Sequence, residues 1–186
     1  MRLNSVGNKK TCLRLPVRDL TVFAMLGTIM FASKVFTQIL PPNVHLLGLF
    51  MATITLTYRT RALIPIYVFV LLDGVFWGFS VWWIPSLYVW LPLWGSFMFA
   101  GKIKLPPAVQ APIFMVLSGL HGLSFGTLYA PANAFFFGLS FEGMLAWIVA
   151  GLPFDIIHAI GNLVAGSLIV PLAALLKRLE RRQITT

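Results

Sequence analysis

The stretch DLTVFAMLGTIMFASKVFTQIL, from Asp19 to Leu40, decides the class of this protein. After Asp19 it carries a single charge, Lys34. As a helix it would extend roughly 33 Å at the usual rise per residue, enough to cross a hydrocarbon core of about 30 Å. It stops at Pro41-Pro42, two residues without the N–H that a continuing helix needs. Comparable apolar stretches recur along almost the whole chain. Of 186 residues 59% are hydrophobic and 10% charged, with a mean hydropathy of +0.88. A soluble domain is roughly half apolar and a quarter charged, so a water-soluble globule is excluded. The reading is one all-α membrane domain over residues 1–186: a basic segment 1–18, a bundle over 19–176 and a basic tail 177–186.

The net charge of +9 invites a nucleic-acid reading, which the placement of the charges removes. Arg2, Lys9, Lys10, Arg14 and Arg18 precede the first apolar run, and Arg59 and Arg61 follow the second. Lys102 and Lys104 follow the fourth, and Lys177, Arg178, Arg181 and Arg182 follow the last. Every basic residue except Lys34 thus falls on one side of the membrane, the bias that holds Lys and Arg near helix ends in the cytoplasm. Both termini are expected there, in a multi-pass protein of the cell membrane. The first apolar run has the length of a full span and lacks a small-residue cleavage site, so it reads as a retained helix rather than a signal peptide. The single cysteine, Cys12, allows neither an intrachain disulfide nor a thiolate metal cluster.

Turn signals divide the chain into six spans. The first is Asp19 to Leu40, followed by an outer loop, Pro41 to His45. The second, Leu46 to Tyr58, is short and returns to the basic turn Arg59-Thr-Arg61. The third, Ala62 to Phe79, ends near Gly78 and the Trp82-Trp83 pair, aromatic residues typical of a membrane interface. The fourth is Ile84 to Ala100 and the fifth Ala108 to Thr127. Residues Leu128 to Leu152, with Pro131 and the run Phe135-Phe136-Phe137, read as a folded outer cap or a short interfacial helix, because Gly151-Leu-Pro153 should interrupt a helix before the sixth span, Phe154 to Leu176. A seventh crossing would place the basic C-terminus on the wrong side.

Polar residues inside the spans carry the functional signal, since an ionisable group in hydrocarbon costs at least about 2.5 kcal/mol and so marks a cavity or a partner. Lys34, Asp73, His121 and His158 each fall roughly 8–11 Å below the outer end of their helices. Asp155, His158 and Asn162, spaced by three and four, share one helical face. Trp77, Trp83, Tyr88, Trp90 and Trp147 gather near that level, and the outer loop offers Asn43 and His45. Apolar walls with a few convergent polar groups are how proteins hold small molecules, and aromatic faces suit a flat or cationic one, with Asp73 or Asp155 as counter-charge. A competing reading makes Lys34 and Asp73 a structural ion pair, and the tryptophans interfacial anchors.

Catalytic patterns are missing: there is no His-Glu-x-x-His, Gly-x-Ser-x-Gly, Walker loop or GxGxxG. ATP hydrolysis is excluded within this chain, and no cofactor or metal is expected. His121, Asp155 and His158, with Ser124 nearby, leave a membrane-embedded hydrolase as a remote alternative.

Arg18-Asp19, Pro42-Asn43, Tyr88-Val-Trp90 and the segment Leu152-Pro-Phe-Asp-Ile-Ile-His-Ala-Ile-Gly-Asn162 together resemble the S components of energy-coupling factor transporters, over nearly the whole chain. The resemblance implies a six-helix bundle that captures a vitamin or related micronutrient near the outer face. It also implies pairing with a transmembrane coupling subunit and two cytoplasmic ATPases, which use the ATP. The family's small-residue pattern on the first helix corresponds here to Ala24, Thr28 and Ala32, facing the coupling subunit, with Thr28 departing from alanine. Close packing within this chain's own bundle is the competing use of such spacing. A stand-alone secondary transporter driven by an ion gradient is the other function class compatible with the buried charges.

Overall fold

A computed structural model describes residues 16–39 and 44–184. Cys12, Pro41-Pro42 and Asn43 lie outside the described residues. Among the described residues every regular element is helical and there is no strand. The elements are α1 (Val17–Phe36), α2 (Leu47–Tyr58), α3 (Leu63–Trp77), α4 (Leu91–Ala100), α5 (Pro107–Leu123), α6 (Phe125–Phe137), α7 (Phe141–Gly166) and α8 (Ile169–Ile184). Short 3₁₀ turns cover Thr37–Ile39, Arg59–Ala62 and Val81–Leu87. Among the described residues four helical stretches, Val17–Ile39, Leu47–Trp77, Pro107–Phe137 and Phe141–Gly166, are long and apolar enough by length and composition to cross a membrane, although Leu47–Trp77 doubles back at Arg59–Ala62.

The surface fits that solvent. Phe36, Phe99, Phe135, Phe137 and Val149 are all more than 60% exposed, whereas soluble monomers rarely show such large contiguous apolar surface. The interior holds Met30, Met51, Ile54, Ile66, Phe69, Leu93 and Phe97, with α2 the most enclosed helix.

Directions follow from the residues in contact. On α1 the buried positions Phe23, Gly27 and Met30 recur at helical spacing. Gly27 packs on Pro65 and Val68 of α3, while Asp19 meets Arg61 and Lys34 meets Asp73, so α1 and α3 run parallel. Phe23 meets Tyr58, so α2 runs opposite to α1. The reversal from α2 to α3 needs only four residues because Arg59 takes φ 58° and ψ −122°, a region costing of order 1–3 kcal/mol for a side-chain-bearing residue. Its neighbours hold it there: the Trp94 indole donates to the Arg59 carbonyl at 3.2 Å, and the Arg59 guanidinium donates to the Met98 carbonyl. This also brings the end of α4 to the end of α2, where Gly101 lies against Arg59 and Leu56.

Arg18, Asp19, Tyr58, Arg59, Arg61 and Glu180 therefore form one polar end of the bundle. Glu180 accepts from both Arg18 and Tyr58 and so ties α8 to α1 and α2. Lys177 sits there too, and its ammonium is pulled below the ordinary lysine range by partial burial first, then by the nearby charges of Arg59 and Arg181.

Three sequence expectations change. The fourth span is not one helix from Ile84: a 3₁₀ turn through Pro85 precedes α4, which has only ten residues. The cap expected over Leu128 to Leu152 is a helical hairpin, α6 and the first half of α7, reversing at Gly138 in the left-handed conformation that glycine adopts without cost (φ 63°). The interruption at Gly151-Leu-Pro153 does not occur, and α7 runs through it for 26 residues. Proline inside a helix gives up one backbone bond, a loss that apolar helices tolerate. The break comes later, at Ser167-Leu168, and divides the expected sixth span between α7 and α8.

Candidate functional site

The half of the bundle away from the basic end holds its buried ionisable residues and most of its buried polar ones, with Thr53 and Thr55 of α2 nearer the basic end. Lys34 and Asp73 meet there: Nζ lies 2.7 Å from both carboxylate oxygens, and Asp73 is 2% exposed. The ammonium also sits 5.9 Å from the ring centres of Phe69 and Trp82. Lys34, Gln38, Trp77 and Trp82 line a cleft of about 340 Å³ open to the outside. The pair is thus a neutral unit with the ammonium at the cleft and the carboxylate behind it.

Deeper in, aromatic contacts lead from this pair to the histidines. Phe69 meets Trp90 edge-on at 5.9 Å, and Trp90 lies 6.5 Å from His45 and 5.8 Å from His121. His45 and His158 meet at 4.6 Å. Phe125 touches Trp90, His158 and Tyr129 at 5.4, 4.9 and 5.0 Å. His45 enters from the segment before α2, Trp90 from the start of α4, His121 from α5, Phe125 from α6 and His158 from α7. Five separate elements converge on one core.

Their hydrogen bonds are incomplete. His121 Nε2 is 2.8 Å from the Val89 carbonyl and Asn162 donates to the Ser118 carbonyl at 3.3 Å. Among the described residues no partner meets His45 Nδ1, Trp90 Nε1, Ser118 Oγ, His121 Nδ1, Asn162 Oδ1 or either nitrogen of His158, although all are buried atoms. An unsatisfied buried polar group costs about 1–3 kcal/mol. Native interiors therefore fill such sites with water or ligand.

Asp155, the other buried acid, is occupied. Both of its oxygens lie 3.0 Å from the backbone N–H of Gly126, in the first turn of α6. The α5–α6 junction frees N–H groups at a new helix start, and a carboxylate is the group that such a start attracts. The geometry depends on Gly126, whose missing side chain leaves room for Asp155.

Of the residues singled out from sequence, the core unites His45, Trp90, His121, His158 and Asn162, with Lys34 and Asp73 adjoining. Others lie elsewhere. Trp77 lines only the outer cleft. Trp82, rather than Trp83, faces Lys34; Trp83 donates its indole N–H to the Val70 carbonyl at 2.8 Å and packs on Phe79. Tyr88 donates to the Leu128 carbonyl at 2.8 Å and so ties the 3₁₀ turn to α6. Trp147 stands on the exposed hairpin, about 16 Å along α7 from His158. Ala24, Thr28 and Ala32 form an exposed stripe on α1, opposite its packed face of Phe23, Gly27 and Met30.

Sequence reasoning passed over Ser118, Phe125 and Tyr129. Their signal was present: with His121 they recur at spacings of three and four, the period of one helical face. Among the described residues no three His, Cys, Asp or Glu side chains are placed to hold one metal ion. Ser124 donates to the His121 carbonyl at 3.0 Å, a bond to its own helix rather than to an imidazole. Comparison of the chain with protein-family profiles, with characterised proteins and with solved structures finds no match.

Proposed function

We propose that this chain is the substrate-capture subunit of an ATP-driven micronutrient importer, as its resemblance to energy-coupling factor S components suggests. The observation that carries the reading is the set of unpartnered polar atoms on His45, Trp90, Ser118, His121, His158 and Asn162, gathered among aromatic rings inside the bundle. A scaffold that only needed to fold would have placed apolar side chains there. A binding site keeps such groups because the ligand completes their hydrogen bonds.

In this reading α1, α2, α3, the 3₁₀ turn with α4, α5 with α6, and α7 with α8 make six crossings, with both termini cytoplasmic in the cell membrane. A transmembrane coupling subunit packs along Ala24, Thr28 and Ala32, where small side chains allow close approach. Two cytoplasmic ATPases supply the energy, and the chain itself performs no covalent step.

The test is to purify the protein, extract it with denaturant and identify the released solute by mass spectrometry. ATP-dependent uptake of that solute is then measured with the coupling subunits present. A recovered vitamin or precursor whose uptake follows ATP supports the proposal; a preparation that binds no solute with or without those subunits removes it. The buried Lys34–Asp73 pair favours one other reading, a stand-alone carrier driven by protons or sodium. Uptake that follows an ion gradient and ignores ATP would establish that alternative.

A further inference from the structure

The charges and the unpaired groups of the core together restrict what it can bind, and we infer that its ligand is a net-neutral heteroaromatic molecule with hydrogen-bond donors and acceptors on its edge. The inference rests on the capture reading above and narrows it. The chain has five acidic residues. Asp19 pairs with Arg18 and Arg61, Glu180 with Arg18, and Asp73 with Lys34. Glu142 is exposed at the start of α7. Asp155 is held by the Gly126 N–H at the start of α6, where the helix dipole offsets part of its charge. Both buried carboxylates thus already have a partner, and Lys34, the basic side chain beside the core, already has its carboxylate.

What remains unpaired is uncharged: an indole N–H on Trp90, imidazole nitrogens on His45, His121 and His158, the Asn162 carbonyl oxygen and the Ser118 hydroxyl. The indole only donates and the amide oxygen only accepts; His158, with both nitrogens open, offers one of each as a neutral ring, whereas His121, whose Nε2 donates to the Val89 carbonyl, keeps only its Nδ1 acceptor. A ligand that satisfies them needs acceptors and donors around one rim, as the ring nitrogens, carbonyls and amino groups of heteroaromatic compounds provide. The walls are flat: Trp90, Phe125 and Tyr129 stand beside the histidines, and rings stack against such faces with useful energy beyond area alone. A charged ligand would enter this core without a free counter-charge, which costs several kcal/mol per ion.

Three probes of nearly the same size and ring test this directly: nicotinamide, which is neutral; 1-methylnicotinamide, a cation; and nicotinate, an anion. Binding to the full-length protein in lipid nanodiscs, freed of co-purified solute, is measured by calorimetry. Nicotinamide is expected to bind best, by at least about tenfold, since one lost counter-charge or one unpaired group is worth 1.4 kcal/mol or more. Trp90→Phe keeps an aromatic face but removes the N–H, and is expected to weaken nicotinamide binding about fivefold, with some loss of melting temperature because a buried core side chain becomes smaller. Preference for the cation or the anion would overturn the inference and leave solute capture standing. So would silence of all three probes together with recovery of a charged or non-aromatic solute from the purified protein. Silence of all three with no solute recovered would remove both.

Discussion

Lys34 is the one basic residue that departs from the charge asymmetry of the chain, and its position is explained by Asp73. At 2.7 Å from both oxygens, and with Asp73 almost wholly enclosed, each group makes the other tolerable in apolar surroundings. Removing one partner leaves a buried charge, which typically costs 3–5 kcal/mol, while replacing both with apolar groups of similar size is often close to neutral. Because Lys34 retains some exposure, Asp73→Leu is expected to destabilise the protein by about 3 kcal/mol, at the lower end of that range. Adding Lys34→Met should restore most of the loss, as read from melting temperatures in lipid nanodiscs. Additive losses in the double variant would show that the two residues act separately. From sequence the pair was one of two readings for these residues, since spacing along α1 and α3 gives their depth but not the rotation of either helix. The same limit applies to Trp82 and Trp83. As neighbours they shared one interfacial signal, and only the turn through Pro85 decides that Trp82 reaches Lys34 while Trp83 bonds to α3.

At the scale of elements, the strongest constraint is the close approach of α5–α6 to α7. Gly119, Gly122, Gly126 and Gly166 lie along it, meeting Leu163, Ala159, Asp155 and Met115 respectively. A methyl group placed on Gly122 would stand 2.9 Å from the backbone of Ala159, and a rigid helix backbone cannot give way as a flexible side chain would. Gly122→Val is therefore expected to lower stability by about 1–3 kcal/mol and to disturb the adjacent His121 and His158. Gly95 meets no neighbouring atom, so Gly95→Ala serves as a control and is expected to be neutral or slightly stabilising through helix propensity. Thermal unfolding of the two variants compares them; equal melting temperatures would mean that the helices do not pack this closely. The glycines were visible in the sequence, and so was Pro153. Proline was read as an interruption because it removes a backbone bond. In a long apolar helix packed on a partner that single loss does not end the helix, so the boundary fell at Ser167-Leu168 instead.

For the whole molecule, the basic residues other than Lys34 gather, among the described residues, at one end because they flank helices whose directions alternate, and Glu180 fastens the last helix to the first two. If the positive end is cytoplasmic, Cys12 in the N-terminal basic segment is the only thiol of the chain and reports its side directly. In intact cells a membrane-impermeant maleimide is expected to leave Cys12 unmodified, and after permeabilisation to label it. Labelling in intact cells would reverse the orientation.

The amino-acid sequence by itself determined the solvent and the handling of charge: apolar runs of spanning length, with Lys and Arg at alternate turns, leave few options besides a helical membrane protein. Those are sums over composition and position, and they need no knowledge of which helix touches which. It also marked most of the core, because ionisable and amide groups are conspicuous in apolar helices. Only the tertiary structure decided which of these groups were already satisfied. Asp73 and Asp155 looked like free counter-charges along the chain, but partners distant in sequence, Lys34 and the Gly126 N–H, occupy them. His45, His121, His158, Trp90 and Asn162 remain open for the same reason: hydrogen bonding depends on distances of about 3 Å, and four separate elements had to be packed before those distances existed.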